Sequence, residues 1–200
     1  KQKAPAISIV KKKSDQTHMV MAFRGFAAGD KRAAATSILM GVLGAGMSSR
    51  LFQRLREQMG ACYYVNSGAS SQSDHGYAAI WSGVEAKRVP EVTKALIDEC
   101  KRLTTEVVQD KELQKVKDYL SSHMYMGLET SDALAGFCLT EEVVRGIVRK
   151  PEQIEKELRK VSAKDVMEVA KVLFKDDRLN LAIVGNISDS KPVKKALTFK

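Results

Sequence analysis

Histidine is scarce in this sequence, which limits the metal chemistry that the chain can support. The 200 residues include three histidines, and none of them begins or ends a His-x-x-Glu-His motif. A hydrolytic zinc centre needs about three protein ligands and a nearby carboxylate. We therefore predict no metal site here, with His18 as a hydrogen-bonded strand residue, His75 in a turn and His123 on the flank of a helix.

The cysteine content excludes a disulfide framework. Cys62, Cys100 and Cys138 give an odd count in an otherwise ordinary composition, so we expect reduced and mostly buried thiols. Cys62 has no histidine near it in sequence, which argues against a cysteine nucleophile. Reduced thiols favour a cytoplasmic location. Export of a longer chain stays open because the first residue is Lys1 and not a methionine.

Long apolar runs and aromatic residues are also in short supply. No run approaches the roughly 20 apolar residues that cross a bilayer, so we expect no membrane span. The net charge is +9, yet aromatic residues make up 6% of the chain and do not alternate with basic ones as a base-stacking surface requires. Dispersed lysine and arginine indicate solvated helix faces, which leaves a basic nucleic-acid-binding module as a distant alternative.

Apolar periodicity predicts strands in the first half, helices in the second and one strand near the end. The expected strands cover residues 7–10, 17–27, 61–71, 77–85 and 178–184, and a first helix runs from Asp30 to about residue 43. Leucine and valine stripes on the later helices, with Leu134 and Phe137 on one of them, are assigned to the core. This order predicts an α+β fold, a mostly antiparallel sheet with helices on one face. We expect one domain over residues 1–188 and a frayed tail over residues 189–200.

Residues 43–65 carry the most information. Gly44 and Gly46 bracket Ala45 after an apolar run, where glycine lets a helix end in a left-handed turn. Ser48 or Ser49 is expected to cap the next helix by accepting a hydrogen bond from one of its first amides.

The short helix after this turn has one apolar face. Leu51, Leu55 and Met59 form that face, Arg56 lies at its border, and Gly60 is expected to end the helix.

A strand follows the helix, so that one arginine and one tyrosine, seven residues apart, come from adjacent elements. Regular alternation predicts that the side chains of Tyr63, Val65 and Ser67 lie on one side of this strand. Those of Cys62, Tyr64 and Asn66 are expected on the other side.

The stretch LGAGMSSRLFQRLREQMGACYYV resembles the insulinase/pitrilysin family of zinc peptidases, in particular the branch that includes mitochondrial processing peptidase. The carboxyl-terminal, non-zinc domain of that family reads roughly L-G-G-G-x-S-S-R-L-F-x-x-L-R-E-K-x-G-L-A-Y-S-V, which aligns without a gap to residues 43–65. The resemblance covers nearly the whole chain. It implies the processing-peptidase/LuxS-like metallohydrolase fold, in agreement with the α+β fold predicted from periodicity.

The resemblance also implies a role for two side chains. In the family, two similar domains close over a peptide, one holding zinc and the other presenting the arginine and tyrosine of L-R-x-x-x-G-x-x-Y, which correspond to Arg56 and Tyr63. A guanidinium and a phenol can stabilise the negative charge that develops on a carbonyl oxygen under attack by water. On spacing alone, a surface salt bridge for Arg56 and a core position for Tyr63 are the simpler interpretations.

The glycine turn is a second candidate. A longer glycine-rich loop is thought to touch substrate in the non-catalytic subunit of processing peptidase, which makes Gly44, Ala45 and Gly46 candidate substrate-binding residues. Ala45 replaces the family's middle glycine and favours a packing or capping role instead. Met59 stands where the family has a basic residue, which leaves the substrate preference open.

The resemblance thus predicts the substrate-enclosing domain or subunit of a zinc metalloendopeptidase, inactive as an isolated chain. Zinc is expected in the partner, which is a zinc-bearing N-terminal domain or a homologous subunit of a homodimer or heterodimer. Unfolded peptides are the expected substrates. A non-catalytic structural or peptide-binding subunit of the same family is the alternative function.

Overall fold

A computed structural model describes residues 2–187 and 189–199, so Lys1 and Ser188, where the expected domain begins and ends, lie outside the described residues. Within them the strands are β1 (Ala6–Lys11), β2 (Thr17–Arg24), β3 (Cys62–Ser71), β4 (Gly76–Val84) and β5 (Leu179–Gly185). They form one sheet in the order β1–β5–β2–β4–β3. The β1–β5 pair is parallel and the other neighbours are antiparallel, so the predicted mostly antiparallel sheet is confirmed.

Helices fill the chain between the β3–β4 hairpin and β5. The helices of the described residues are α1 (Ala33–Gly44), α2 (Val89–Thr105), α3 (Asp110–Met126), α4 (Ser131–Arg145), α5 (Pro151–Lys160), α6 (Ala163–Leu173) and α7 (Lys191–Ala196), with a π-helix over Phe52–Gln58 and a short 3-10 turn over Ala86–Arg88. Together with the five-stranded sheet, these helices confirm the α+β fold that the sequence predicted. None of the helices combines the length and apolarity that a membrane span requires.

The core lies between one face of the sheet and the helices. In β2, alternate residues Met19, Met21 and Phe23 are buried, and the ring of Phe23 lies 4.9 Å from that of Phe174. Helix α1 packs against β3 and β4, and α6 contacts both α1 and α2. Full burial of each such side chain contributes about 1.5–3 kcal/mol, so this layer holds the sheet and helices together.

Alternation leaves the opposite face of the sheet facing away from this core. We call it the outer face, and its residues are Ala6, Ser8, Val10, His18, Val20, Ala22, Arg24, Tyr64, Asn66, Gly68, Ser70, Tyr77, Ala79, Trp81, Gly83, Asn180, Ala182 and Val184.

Two element boundaries differ from the sequence prediction. Helix α1 begins at Ala33 and not at Asp30, because the Asp30 carboxylate accepts hydrogen bonds from the amide and guanidinium of Arg32 and closes a turn there. The expected frayed tail instead contains α7, which packs against α2 with Val193 fully buried. Val193 and Leu197, the residue directly after α7, are both buried despite the surrounding lysines.

Helix α4 also contradicts its prediction, because its apolar stripe is not in the core. Leu134 is exposed and Phe137 is only partly buried. The cap at the start of the helix is present, with the Thr130 hydroxyl accepting a hydrogen bond from the amide of Ala133.

Candidate functional site

The helix that carries Arg56 has a wider turn than the sequence predicts. Residues Phe52–Gln58 are π-helical, and the amide of Met59 donates a 3.0 Å hydrogen bond to the carbonyl five residues earlier. π-Helical turns are rare and occur often at functional sites. Leu51 and Leu55 are fully buried, which confirms the predicted apolar face.

The start of this helix is not capped as predicted. The hydroxyl of Ser49 donates a 2.7 Å hydrogen bond to the carbonyl oxygen of Gly46, whereas a cap would accept one from a helix amide. Within the described residues, neither Ser48 nor Ser49 accepts a hydrogen bond from an amide of this helix. Ser49 therefore closes the glycine turn and does not cap the helix.

Two arginines to which the sequence gave no role hold residues 50–58 against the helices. Arg50 donates to both carboxylate oxygens of Glu112 in α3, at 2.9 and 2.8 Å, and Arg54 donates to Glu99 in α2 at 2.6 Å. The hydrogen bonds that Arg50 donates to Glu112 hold the pKa of Arg50 above its ordinary value. In the sequence, these two ion pairs are signalled only by an acidic residue on each of the amphipathic helices α2 and α3. Such a residue does not reveal which arginine will pair with it.

Arg56 differs from both of these neighbours. Its side chain is exposed, and its guanidinium carbon lies 5.0 Å from the centre of the Phe52 ring. Within the described residues no carboxylate lies at ion-pair distance from Arg56. A cation–π contact at an exposed site contributes about 0.5–1 kcal/mol, so the ring orients the guanidinium and leaves its charge uncompensated.

Gly60 ends the helix as predicted. Its φ is +56°, its amide donates to the carbonyl of Arg56 at 3.2 Å, and the amide of Ala61 donates to the carbonyl of Leu55 at 2.8 Å. This pattern is a Schellman-type closure, which needs a left-handed residue. It joins the backbone of Arg56 directly to the start of β3.

Tyr63 occupies an irregularity in β3. Cys62 pairs with Val84 and Tyr64 pairs with the preceding Gly83, so Tyr63 is an extra residue in the ladder. Such a bulge re-aims a side chain and is frequent beside active sites. Tyr63 is 52% exposed, so a core position for it is excluded.

The bulge also corrects the predicted strand faces. Tyr63 and Val65 were expected on one side, but Val65 is buried together with Cys62 while Tyr63 is exposed. One extra residue shifts the two-residue period, so alternation does not hold across it. Burial raises the pKa of the Cys62 thiol to about 11, which agrees with the prediction that this cysteine is not a nucleophile.

The glycine turn has a structural explanation of its own. A Cβ on Gly44 would lie 2.5 Å from the amide nitrogen of Ser67 in β3, so no larger residue fits there. Gly46 has a φ of +76° and lies against Tyr119 of α3. Ala45 and Gly46 also line a mostly apolar cavity of about 290 Å³.

The three histidines have the separate positions that the sequence predicted. His18 Nδ1 lies 3.0 Å from the Tyr64 hydroxyl, His75 lies in the β3–β4 turn, and the His123 ring lies 4.1 Å from that of Tyr119. No group of three or more histidine, cysteine, aspartate or glutamate side chains within residues 2–187 and 189–199 could hold a metal ion.

Known proteins are similar to this sequence over most of its length. The family profile described as "Peptidase M16 inactive domain" matches residues 1–120. An uncharacterized zinc protease of Bacillus subtilis is 30% identical over 167 residues, which are 84% of this chain and 41% of that protein. A second one, from Streptomyces coelicolor, is 29% identical over 186 residues, which are 93% of this chain and 40% of that protein. The chain thus spans about two fifths of the length of these relatives.

A solved structure has the same fold. The crystal structure of a peptidase M16 inactive domain from Pseudomonas fluorescens matches with a TM-score of 0.80 at 21% identity, over 96% of this chain and 46% of that one.

Proposed function

The chain belongs to the peptidase M16 family, whose inactive domain it matches, and from this we propose that it forms the metal-free half of a zinc-dependent endopeptidase that encloses unfolded peptides. Membership confirms the resemblance to insulinase-type peptidases that the sequence predicted. In this proposal Arg56 and Tyr63 act on the bound peptide, and zinc is held by a partner domain or subunit. The names of the two bacterial relatives as zinc proteases support it.

One observation carries the proposal. Of the three arginines on the segment, Arg50 and Arg54 are paired with carboxylates, whereas Arg56 is exposed and has no such partner in the described part of the chain. An arginine placed for stability is expected to find a carboxylate, as its neighbours do. An unpaired guanidinium is available to a ligand, and so is the exposed tyrosine at the bulge in the strand that follows.

The chemistry follows from the types of these two groups. Zinc in the partner half would supply a water of lowered pKa for attack on the peptide carbonyl. The phenol of Tyr63 can donate one hydrogen bond and the guanidinium of Arg56 several to the carbonyl oxygen as its negative charge develops. Both groups become effective only when the two halves close and exclude water, so closure is part of catalysis.

Kinetics of the assembled peptidase test these assignments. Arg56→Ala and Tyr63→Phe are each expected to lower kcat about a hundredfold with little change in KM, because loss of one oxyanion donor costs that much. Tyr77→Phe is the matched control, since Tyr77 is also an exposed tyrosine of the hairpin, and its kcat should not change. Unchanged kcat in both site variants, with full zinc content in the assembly, would remove Arg56 and Tyr63 from the mechanism.

Contact between substrate and the glycine turn stays a prediction. The cavity beside Ala45 and Gly46 could take one apolar side chain of a peptide. Ala45→Asp is expected to raise KM for peptides with an apolar residue at that position and to leave kcat unchanged. An equal effect on peptides without such a residue would contradict this contact.

A further inference from the structure

The turn between the two proposed site residues is held by an arginine from another part of the chain. Three residues connect the π-helix of Arg56 to the strand of Tyr63. The Nη1 atom of Arg88 donates hydrogen bonds to the carbonyl oxygens of Met59 and Gly60 in this turn, each 3.0 Å long. The contacts join residues 28 and 29 positions apart in the chain, so they depend on the fold and not on a local pattern.

The guanidinium of Arg88 is itself held in one orientation. Its Nε and Nη2 atoms donate to the two carboxylate oxygens of Glu91, both at 3.0 Å, and these bonds hold the pKa of Arg88 above its ordinary value. Glu91 lies in the first turn of α2, where the helix dipole favours a negative charge. Four of the five N–H groups of the guanidinium are thus used, and one rigid fork connects the start of α2 to the turn.

The backbone around Arg88 is fixed by the core. Strand β4 ends at Val84, and the 3-10 turn that follows it closes when the amide of Arg88 donates to the carbonyl of Glu85 at 2.9 Å. The next residue, Val89, is fully buried. Val84 also pairs with Cys62 at the start of β3. The position of Arg88 relative to the turn is therefore set by a buried helix start and by the strand end that pairs with β3.

An ion pair alone does not explain this arrangement. An exposed pair of charges contributes little to stability, and Arg88 could pair with Glu91 without reaching the turn. A charged donor on two backbone carbonyls also restrains the path of the chain that follows. Burial raises the pKa of the Cys62 thiol, and the charge of Arg88 opposes that rise. Arg88 therefore acts beside the residue that directly precedes Tyr63.

We propose that Arg88 is a positioning residue for the peptidase reaction, which sets the directions of the Arg56 and Tyr63 side chains by fixing the turn between them. This inference rests on the proposed function, because Arg88 touches neither the peptide nor the zinc and acts only through those two groups. A small displacement of groups that stabilise the transition state lowers turnover more than substrate binding. The effect of Arg88 is therefore expected in kcat.

Kinetics of the assembled peptidase test this role. Arg88→Gln is expected to lower kcat about tenfold with little change in KM, because the displaced site groups lose transition-state contacts. Arg88→Lys should recover part of that loss, since an ammonium keeps the charge but cannot reach two carbonyls and a carboxylate together. Arg159→Gln is the matched control, because Arg159 also forms a fork, to Asp118 of α3 and Glu155 of its own helix α5. Its kcat should not change.

A second background separates positioning from a general loss of stability. With Arg56→Ala and Tyr63→Phe already in place, Arg88→Gln should lower kcat no further, because the groups through which it acts are gone. An equal loss in both backgrounds would show that Arg88 supports the fold in general, and this result would overturn the proposal.

Hydrogen exchange of the 200-residue chain reads the turn without catalysis. The amides of Gly60 and Ala61 close the turn through backbone hydrogen bonds. In Arg88→Gln these amides should exchange at least about tenfold faster, because two charge-assisted bonds no longer hold the turn closed. Arg159→Gln should leave their exchange unchanged. Unchanged exchange in Arg88→Gln would overturn the proposal whatever the kinetics show.

The proposed function and the role of Arg88 fail in different ways. Unchanged kcat in Arg56→Ala and Tyr63→Phe removes the proposed function, and the role of Arg88 falls with it. If those two variants are slow but Arg88→Gln keeps its kcat, the proposed function stands and the positioning role of Arg88 is overturned.

Discussion

The carbonyl oxygen of Leu55 accepts a 2.8 Å hydrogen bond from the amide of Ala61. Leu55 is fully buried, so this bond anchors the turn after the π-helix to the core. Arg56 follows Leu55 directly, and Tyr63 comes two residues after Ala61. The backbones of the two proposed site residues therefore start from one anchored junction.

Replacement of Gly60 should weaken this junction. Gly60 has a φ of +56° and nothing within 4 Å of the position of a Cβ, so Gly60→Ala brings backbone strain without a clash. We expect a loss of about 1 kcal/mol in the free energy of unfolding, measured by urea titration. Gly60→Asn should cost less because asparagine tolerates this conformation better, and equal losses in both variants would contradict a left-handed residue here.

The Phe52 ring should matter only through Arg56. Phe52→Leu keeps an apolar residue against the core but removes the ring beside the guanidinium, so in the assembled peptidase kcat should fall about two- to fivefold, as expected for a contact of about 0.5–1 kcal/mol. In an Arg56→Ala background the same change should have no further effect on kcat. An equal loss in both backgrounds would mean that Phe52 acts through packing.

Two glycine-to-alanine changes should have opposite effects. Gly44→Ala places a Cβ 2.5 Å from the Ser67 amide nitrogen and should destabilise the fold by about 1–3 kcal/mol, because backbone has to move. Gly136→Ala lies within α4 with open space around it and should stabilise the fold by about 0.5–1 kcal/mol. Urea denaturation of the two variants side by side measures both, and a neutral Gly44→Ala would contradict the close approach of α1 to β3.

The ion pairs of the buried Glu141 predict a pH dependence. Hydrogen bonds from Arg149 hold the pKa of the Glu141 carboxyl below its ordinary value of 4.5. A lowered pKa in the folded state means that this contribution is complete above about pH 4.5 and is lost as the pH falls through the lower folded-state value. Glu141→Gln should cost about 1.5–3 kcal/mol at pH 7, because it weakens the charged hydrogen bonds from Arg145 and Arg149.

The difference between Glu141→Gln and the unmodified chain should shrink as the pH falls below 4.5. Glu142→Gln is the control, since Glu142 is exposed in the same helix, and its effect should stay within about 0.5 kcal/mol. A stability difference for Glu141→Gln that stays constant from pH 7 to pH 3 would show that the charge of Glu141 is not involved.

Thiol labelling should separate the three cysteines. Burial raises the pKa of Cys62 to about 11 and that of Cys100 further, whereas Cys138 is only partly buried. At pH 7.5 a maleimide should modify Cys138 first, and Cys62 and Cys100 only after denaturant is added. Mass spectrometry of tryptic peptides measures the order, and rapid labelling of Cys62 in the native chain would contradict its burial.

Local patterns predicted the parts of the fold that depend on neighbours in sequence. The strands predicted over residues 61–71 and 77–85 and the end of the helix at Gly60 are all present. Each of these features is decided within a few residues, by the two-residue apolar period or by turn chemistry.

Features that depend on distant contacts could not be predicted. The π-helical turn and the bulge at Tyr63 each arise from the packing of one element against several others. Neither changes the two-residue or 3.6-residue spacing of apolar residues from which strands and helices are predicted. For α4, the apolar pattern identified the helix but not the side on which Leu134 would lie. The roles proposed for Arg56 and Tyr63 rest on the family resemblance, since spacing alone favoured a salt bridge and a core aromatic.

Helix α7 has a practical consequence for anyone who shortens this chain. Val193 is fully buried, and the Phe199 ring lies 5.8 Å from that of Phe23. A stop codon placed soon after Gly185 would therefore remove both side chains and expose part of the hydrophobic core to water. Such a fragment is expected to aggregate during expression or to be digested by cellular proteases. Any boundary chosen for expression should therefore lie beyond Phe199 and leave α7 intact.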